Sequence, residues 1–130
     1  MTAVELSKLD QLKNALERVK ESLAEASKKP GDLTIRDGAL QRFEFTFELV
    51  WKTLKEFCDE KGNSANNPKD IFRISADHEF ITDPLPWFEF LKNRNAASHL
   101  YDEHKMEQVF SDLPSFVTET EKIITKLERA

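Results

Sequence analysis

The chain has 130 residues, of which 39% are hydrophobic and 33% are charged, and its formal net charge at pH 7 is −5. A chain of this length can bury one core, and no Gly/Ser/Pro-rich linker divides it, so residues 1–130 are predicted to form a single helical domain. The acidic balance argues against broad, non-specific binding to nucleic acid, which depends on many phosphate contacts. Any contact with RNA or a nucleotide is therefore expected to be local.

Cysteine usage and hydropathy indicate the compartment. The single cysteine, Cys58, cannot form an intramolecular disulfide and lies within a helical pattern. The N-terminal residues lack a basic start followed by an apolar run, and no segment approaches the roughly 20 apolar residues that span a bilayer. These features predict a cytoplasmic protein without a membrane anchor.

Apolar residues recur at three- and four-residue intervals along the first half of the chain, as in amphipathic helices. The first helix is expected to stop at residues 28–31, where a Lys-Lys-Pro-Gly sequence breaks the pattern. The second is expected to begin near Thr34, with Thr34 as its N-cap, and to run to about Lys61, with Gly62 as the C-terminal stop. Its apolar stripe is predicted to face the core: Leu40, Phe43, Phe47, Val50, Leu54 and Phe57.

Short helices are predicted over about residues 69–76 and 103–110. Asp83 and Pro84 resemble an N-cap and a proline at the first helical position, and would open a helix that carries both Arg94 and His99. Asp112 is expected to begin the last helix. No convincing alternating strand pattern is present, so the fold class is all-α, with about four long helices and one or two short ones.

The sequence lacks the motifs of phosphate-binding loops and of zinc sites. No glycine-rich loop suited to cradling phosphate is present. The three histidines, His78, His99 and His104, and the lone cysteine do not have a recognisable zinc-ligand spacing. We therefore expect no cofactor and no metal.

Residues 94–101 place Arg94, His99 and Tyr101 in a segment otherwise rich in Trp, Phe and Leu. On an ideal helix Arg94 and Tyr101 lie nearly in line two turns apart, while His99 lies about 140° round from Arg94. Arg94 and His99 can then serve one ligand if the Arg side chain swings across, if the helix unwinds after Ser98, or if a second subunit brings its own copy close. The alternative is structural, since Arg and His complement the negative end of a helix dipole and Tyr is often half-buried.

The second helix carries another polar group of residues on one face. Gln41, Glu44, Glu48 and Lys52 recur at three- and four-residue intervals beside the aromatic stripe. They are either a solvated face with a Glu48–Lys52 ion pair, worth a few tenths of a kcal/mol, or part of a site.

Two long segments resemble the nucleotidyltransferase substrate-binding protein family, small all-α members of the HEPN superfamily, and the resemblance covers nearly the whole chain. The segments are Arg36-Asp37-Gly38-Ala39-Leu40-Gln41-Arg42-Phe43-Glu44-Phe45-Thr46-Phe47-Glu48-Leu49-Val50-Trp51-Lys52 and Arg94-Asn95-Ala96-Ala97-Ser98-His99-Leu100-Tyr101-Asp102-Glu103. The resemblance implies an up-and-down four-helix bundle, a homodimer and a separately encoded minimal nucleotidyltransferase as partner.

In related HEPN proteins the Arg-His motif is a metal-independent ribonuclease site, held in check by the nucleotidyltransferase, which can AMPylate the Tyr of the motif. Carried over to this chain, the resemblance implies catalytic roles for Arg94 and His99 and modification of Tyr101. The early interpretation of the family implies instead a non-catalytic subunit that binds the substrate of the nucleotidyltransferase. The residues expected to contact a nucleotide or RNA ligand are Asn95, Gln41, Glu44, Glu48 and Lys52.

The implied chemistry is physically reasonable. RNA carries its own nucleophile, the 2′-hydroxyl, so cleavage requires a group that moves a proton and a cation that stabilises the phosphorane. Histidine can accept and donate a proton near neutral pH, as His99 would do. Arg94 offers a planar set of donors for phosphate oxygens. Asn95, four residues before His99, is expected to orient the imidazole or to bind phosphate.

Overall fold

The computed structural model describes residues 1–63 and 65–130, and these residues form helices joined by turns, with no strand among them. Four of the helices are long and two are short, which confirms the predicted all-α bundle. In chain order they are α1 (Ala3–Lys28), α2 (Leu33–Glu60), α3 (Pro68–Asp77), α4 (Leu85–Ala96), α5 (Glu103–Ser111) and α6 (Leu113–Glu128).

The start of α2 differs from the sequence prediction. Thr34 was expected to be the N-cap, but it lies within the first turn, and Asp32 is the N-cap residue. The Asp32 carboxylate accepts a hydrogen bond from the backbone N–H of Ile35 at 3.1 Å. This bond satisfies one of the amides left free at a helix N-terminus, and Asp is among the best residues for that task. At the other end, Gly62 has φ +85°, a left-handed conformation that confirms its prediction as the C-terminal stop.

Hydrogen bonds between α1 and α2 show that these two helices run antiparallel. Near the start of α2, the Arg42 guanidinium donates to the Arg18 carbonyl oxygen at 2.9 Å. Near its end, the Thr53 hydroxyl donates to the Lys8 carbonyl oxygen at 3.5 Å. Since residue numbers rise on α2 as they fall on α1, the turn at residues 29–32 reverses the chain.

Helix α6 also packs antiparallel to α1. Lys13 pairs with Glu128 at 2.8 Å, and Lys20 pairs with Glu121 at 3.1 Å. Both pairs are exposed to solvent, so each is expected to contribute at most about 1 kcal/mol. They indicate the direction of the helices more than they stabilise the bundle.

Aromatic side chains from four helices fill the centre of the bundle. Phe43 and Phe47 of α2, Phe72 of α3, Trp87 of α4 and Phe116 of α6 are each at most 1% exposed. The rings of Phe43 and Phe116 meet edge to face with centroids 4.9 Å apart, and those of Phe72 and Trp87 lie 5.3 Å apart. Such pairs contribute about 0.5–1.5 kcal/mol beyond the burial of their area. The predicted core stripe of α2 is therefore confirmed, and it holds α4 in place.

The start of α4 also differs in detail from the prediction. Pro84 is the N-cap residue, not the first helical residue, and α4 begins at Leu85. Asp83 still supplies a capping interaction, because its carboxylate accepts from the Leu85 backbone N–H at 3.0 Å. Among residues 1–63 and 65–130, no helix has both the length and the hydropathy needed to cross a bilayer.

Candidate functional site

The segment that follows α4 is a turn, where the sequence analysis expected a continuing helix. Helix α4 ends at Ala96, so Arg94 is helical and His99 is not. The His99 N–H donates to the Ala96 carbonyl at 2.9 Å, and the Asp102 N–H donates to the His99 carbonyl at 3.0 Å. The chain thus leaves helical geometry before Ser98, earlier than the unwinding considered from the sequence.

Two features of the chain explain this early end. Ala97 is 1% exposed, so the first residue after α4 packs inward. Only residues 97–102 separate α4 from α5, and Asp102 caps α5 by accepting from the Lys105 backbone N–H at 3.1 Å. Because α5 contacts both α4 and α2, the chain has to reverse within this short segment. A helix continued to residue 101 would prevent that reversal.

The turn brings the side chains of His99 and Tyr101 together. The His99 Nδ1 lies 2.9 Å from the Tyr101 hydroxyl oxygen, and the two rings are nearly perpendicular, at 86°. Both residues are exposed, Tyr101 to 83%. The expectation for a continuing helix, in which Tyr101 lies two turns beyond Arg94 on the same side, is not met, because α4 ends at Ala96 and Tyr101 lies in the turn.

This pairing suits an imidazole that moves protons. A phenolic hydroxyl can accept a hydrogen bond from Nδ1–H, and Nε2 then keeps a free lone pair. In the other tautomer the hydroxyl donates to Nδ1, and Nε2 carries the proton. Either way Tyr101 occupies the Nδ1 edge of the ring, and within the described residues the Nε2 atom of His99 has no partner and can meet a ligand.

Arg94 lies in the last turn of α4 and reaches across to α2. Its Nη2 atom lies 2.7 Å from Oε1 of Glu48. The Nε atom of Arg94 is buried and has no hydrogen-bond partner among the described residues. The Arg94–Glu48 pair therefore connects the polar face of α2 with the polar residues at the end of α4, which are far apart in the sequence.

The second carboxylate oxygen of Glu48 contacts other residues of α2. The indole N–H of Trp51 donates to Oε2 at 3.1 Å, and Lys52 Nζ lies 3.9 Å from the same oxygen. The predicted Glu48–Lys52 pair is thus present, but it is longer than the pair with Arg94. Trp51 was missed in the sequence analysis, although its position three residues after Glu48 places the two side chains on neighbouring positions of one helix face.

The remaining candidates lie outside the Arg94–Glu48 pair. Gln41 is exposed and lines a surface depression between α1 and α2, together with Arg18 and Phe45. Glu44 is half-buried one turn before Glu48. Asn95 is exposed, and the described hydrogen bonds give His99 the hydroxyl of Tyr101, not the amide of Asn95, as its partner.

A buried arginine holds the far end of the turn. Arg36 of α2 is 4% exposed, and its Nη1 donates to Glu103 at 2.6 Å and to Glu107 at 2.8 Å on α5. Asp37 accepts from the same guanidinium. The hydrogen bond with Glu103 raises the pKa of Arg36 and lowers that of Glu103. This network ties the first turn of α5 to α2 and so fixes where the turn of residues 97–102 ends.

The sequence contained only an indirect signal for this network. Glu103 and Glu107 are four residues apart and therefore share one face of a helix. Arg36 was visible as part of the long family segment. No short-range sequence pattern could predict that this arginine pairs with acidic residues 67 and 71 positions away.

Metal ligands do not cluster in the described part of the chain, where no group of three or more His, Cys, Asp or Glu residues is arranged to hold an ion. Cys58 is buried, and its sulfur lies 3.5 Å from the Ser75 hydroxyl. Burial raises the pKa of this thiol, which disfavours the reactive thiolate form.

The helical bundle places Arg94 beside Glu48 and His99 beside Tyr101, two separate polar pairs, and it defines a small all-α protein with polar side chains at and just after the end of α4. The chain belongs to the family described as nucleotidyltransferase substrate binding protein like, whose model matches residues 7–129.

The chain is also similar to individual relatives. It is 29% identical over 101 residues to a probable ribonuclease HepT of Haemophilus influenzae, covering 74% of this chain and 69% of the relative. A solved H. influenzae structure, HI0074, described as the fold of a substrate binding domain of a nucleotidyltransferase, has a TM-score of 0.83 and 26% identity. That alignment covers 92% of this chain and 98% of the other.

A third relative shares the fold at lower identity. It is a tri-AMPylated HEPN toxin of Shewanella oneidensis, solved in complex with an MNT antitoxin. The two chains align over their full lengths with a TM-score of 0.82 and 19% identity.

Proposed function

We propose that this protein is the helical component of a two-component system and that its partner is a separately encoded minimal nucleotidyltransferase. Within that system it acts as a toxin-like, metal-independent endoribonuclease with Arg94 and His99 as catalytic residues. The observation that carries the proposal is the exposed His99 imidazole, which is hydrogen-bonded to Tyr101 directly after the helix that holds Arg94. This imidazole is exposed, and its Nε2 atom has no hydrogen-bond partner within residues 1–63 and 65–130, so a ligand can reach it.

In the proposed reaction, the 2′-hydroxyl of the RNA attacks the adjacent phosphorus. His99 accepts the proton of that hydroxyl as the new oxygen–phosphorus bond forms. The bond to the 5′-oxygen breaks, and that oxygen takes a proton from water or from the His99 of a second copy. The products are a 2′,3′-cyclic phosphate and a free 5′-hydroxyl. Arg94 binds the phosphate oxygens and stabilises the charge that builds on the phosphorane.

We propose that two copies form a homodimer with the Arg94 and His99 side chains lining one cleft. A second copy would supply a second imidazole for the leaving oxygen. The side chain of Phe45 is 64% exposed and lies three residues before Glu48 on the same face of α2, so the proposed interface would cover an exposed aromatic ring beside the cleft. Asn95 and Lys52 would contact the RNA backbone at the rim of this cleft, and Gln41 and Glu44, nearer the start of α2, would contact bases.

Regulation is proposed to act through Tyr101. The Tyr101 hydroxyl attacks the α-phosphate of ATP on the partner enzyme, a phosphodiester to AMP forms, and pyrophosphate leaves. The modified oxygen then carries no proton and accepts hydrogen bonds poorly, so His99 loses its partner. The attached phosphate also places a negative charge where RNA must bind. Modification is therefore expected to abolish cleavage without unfolding the bundle.

The alternative function is a non-catalytic subunit that binds substrate for the nucleotidyltransferase. The family description and the net charge of −5 favour it. In that case Arg94 and His99 would bind the substrate phosphate, and no RNA would be cut.

The experiment that separates these functions is RNA cleavage in EDTA. Purified wild-type protein is incubated with a structured RNA, and His99→Ala and Arg94→Ala serve as comparison variants. We expect the wild type to leave 2′,3′-cyclic phosphate ends and both variants to lose this activity. A folded wild type that cuts no RNA yet binds the nucleotidyltransferase would support the alternative.

A further inference from the structure

We propose that Glu48 is the positioning residue for Arg94. Its carboxylate fixes the guanidinium at the end of α4 so that the donors left over face an incoming phosphate. The catalytic consequence of this inference rests on the ribonuclease function proposed above.

The ion pair with Glu48 holds the Arg94 side chain and still leaves some of its N–H donors for a phosphate. A guanidinium has five N–H donors, and only Nη2 contacts Glu48, at 2.7 Å. The Nε atom is buried without a partner among the described residues, so it cannot serve an external ligand. The accessible donors are those on the two Nη nitrogens. A phosphate can therefore bind beside Glu48 without displacing it.

Glu48 is itself held in place. Trp51 donates to Oε2 at 3.1 Å, while Oε1 is used by Arg94. The side chain of Glu48 is 31% exposed and that of Arg94 is 38% exposed, so solvent screens this pair less than an ion pair on the open surface. The neighbours of Glu48 on α2, Phe47 and Leu49, are buried, which anchors the backbone that carries it. One carboxylate oxygen thus accepts a hydrogen bond from Trp51 and the other forms the ion pair with Arg94.

A carboxylate at this position is unsuited to contact RNA directly, because it repels a phosphate. Its effect on RNA is better explained through Arg94, whose orientation it sets. Lys52, 3.9 Å from Oε2, offsets part of the negative charge when the phosphate arrives. We therefore assign Glu48 a positioning role in place of the substrate-binding role expected from the sequence.

The first test measures Arg94 itself and does not depend on cleavage. Nitrogen-15 NMR of arginine side chains reports how freely each guanidinium rotates, and the Arg94 signal is identified by its loss in Arg94→Lys. We expect slow rotation in the wild type and fast rotation in Glu48→Ala. Glu56→Ala is the matched control, because Glu56 is also half-buried and lies on α2 two turns further along. That variant should leave the Arg94 signal unchanged.

The second test measures cleavage. We expect Glu48→Ala to lower kcat by up to about a hundredfold, as misplacement of a catalytic group by about 1 Å can do, with little change in KM. Glu48→Gln keeps a hydrogen-bond acceptor and should retain more activity. In an Arg94→Lys background, which keeps a cation and is expected to retain some cleavage, Glu48→Ala should cause a much smaller further loss than in the wild type, because the effect passes through the guanidinium of Arg94.

The outcomes distinguish this inference from the proposed function. A freely rotating Arg94 in the wild type, or one still held in both Glu48 variants, would overturn the positioning role. A held Arg94 that Glu48→Ala releases with no loss of cleavage would overturn its catalytic importance. If the wild type cuts no RNA while Arg94 is held by Glu48, the ribonuclease proposal fails and the positioning role stands. Should Glu48→Ala fail to fold, Glu48→Met removes the carboxylate, keeps a side chain of similar length and supplies the same comparison.

Discussion

The Nδ1 atom of His99 lies 2.9 Å from the hydroxyl oxygen of Tyr101. Both residues lie in the turn that follows the end of α4 at Ala96. One hydroxyl thus serves as the partner of the candidate catalytic imidazole and as the proposed acceptor of AMP. Because the two roles use the same oxygen, modification and hydrogen bonding exclude one another. Control of the site would then act on the imidazole directly, as well as by filling the space that RNA needs.

The first prediction concerns Tyr101→Phe. Incubation of the wild type with its nucleotidyltransferase, magnesium and ATP should raise the intact mass by one or more AMP units, and the variant should show no gain. The variant should also cut RNA more slowly, because the imidazole has lost its partner, though it should remain more active than His99→Ala. Since Tyr101 is 83% exposed, we expect its stability to change by no more than about 0.5 kcal/mol. An unchanged wild-type mass with an active transferase would contradict the modification.

The second prediction separates the site from the core. His99→Ala should change the free energy of unfolding by no more than about 0.5 kcal/mol, because the side chain is exposed. Phe47→Ala should lower it by about 3–5 kcal/mol, because the ring is fully buried. Urea denaturation followed by circular dichroism measures both. An unfolded His99 variant would assign that residue a structural role instead.

The third prediction is a pH dependence caused by the Arg36–Glu103 pair. Arg36 lowers the pKa of Glu103, so the pair stabilises the fold above the ordinary glutamate pKa of about 4.3. That contribution is lost as the pH falls through the lowered folded-state pKa. Glu103→Gln should therefore lose less stability between pH 6 and pH 3 than the wild type does. Equal losses in the two proteins would show that Glu103 contributes nothing to the acid sensitivity.

The fourth prediction concerns assembly. Light scattering at micromolar concentration should give twice the mass of one chain. Phe45→Asp should shift the protein toward monomer while its helical circular dichroism is retained, because a charge replaces an exposed apolar ring of the proposed interface. Thr118→Asp, on the exposed side of α6, is the matched control and should leave the mass unchanged. A wild type that remains monomeric would remove the homodimer from the proposal.

The sequence alone was sufficient for the features that depend on neighbours along the chain. The three- and four-residue spacing of apolar side chains predicted the helices, and the stripe that includes Phe43 and Phe47 was correctly assigned to the core. Gly62 was correctly predicted to end α2. These features follow from local geometry. A helix completes one turn every 3.6 residues, so side chains three and four positions apart share a face, and a left-handed backbone conformation favours glycine.

Only the tertiary structure decided how the candidate residues meet. Glu48 and Arg94 are 46 positions apart, and their pairing depends on how α2 packs against α4. The end of α4 before His99 was likewise decided by packing, because α5 must fold back within six residues and is held there by Arg36. Helical periodicity describes the faces of one helix at a time. Which faces meet, and where a helix must stop so that the next can pack, is determined by the bundle as a whole.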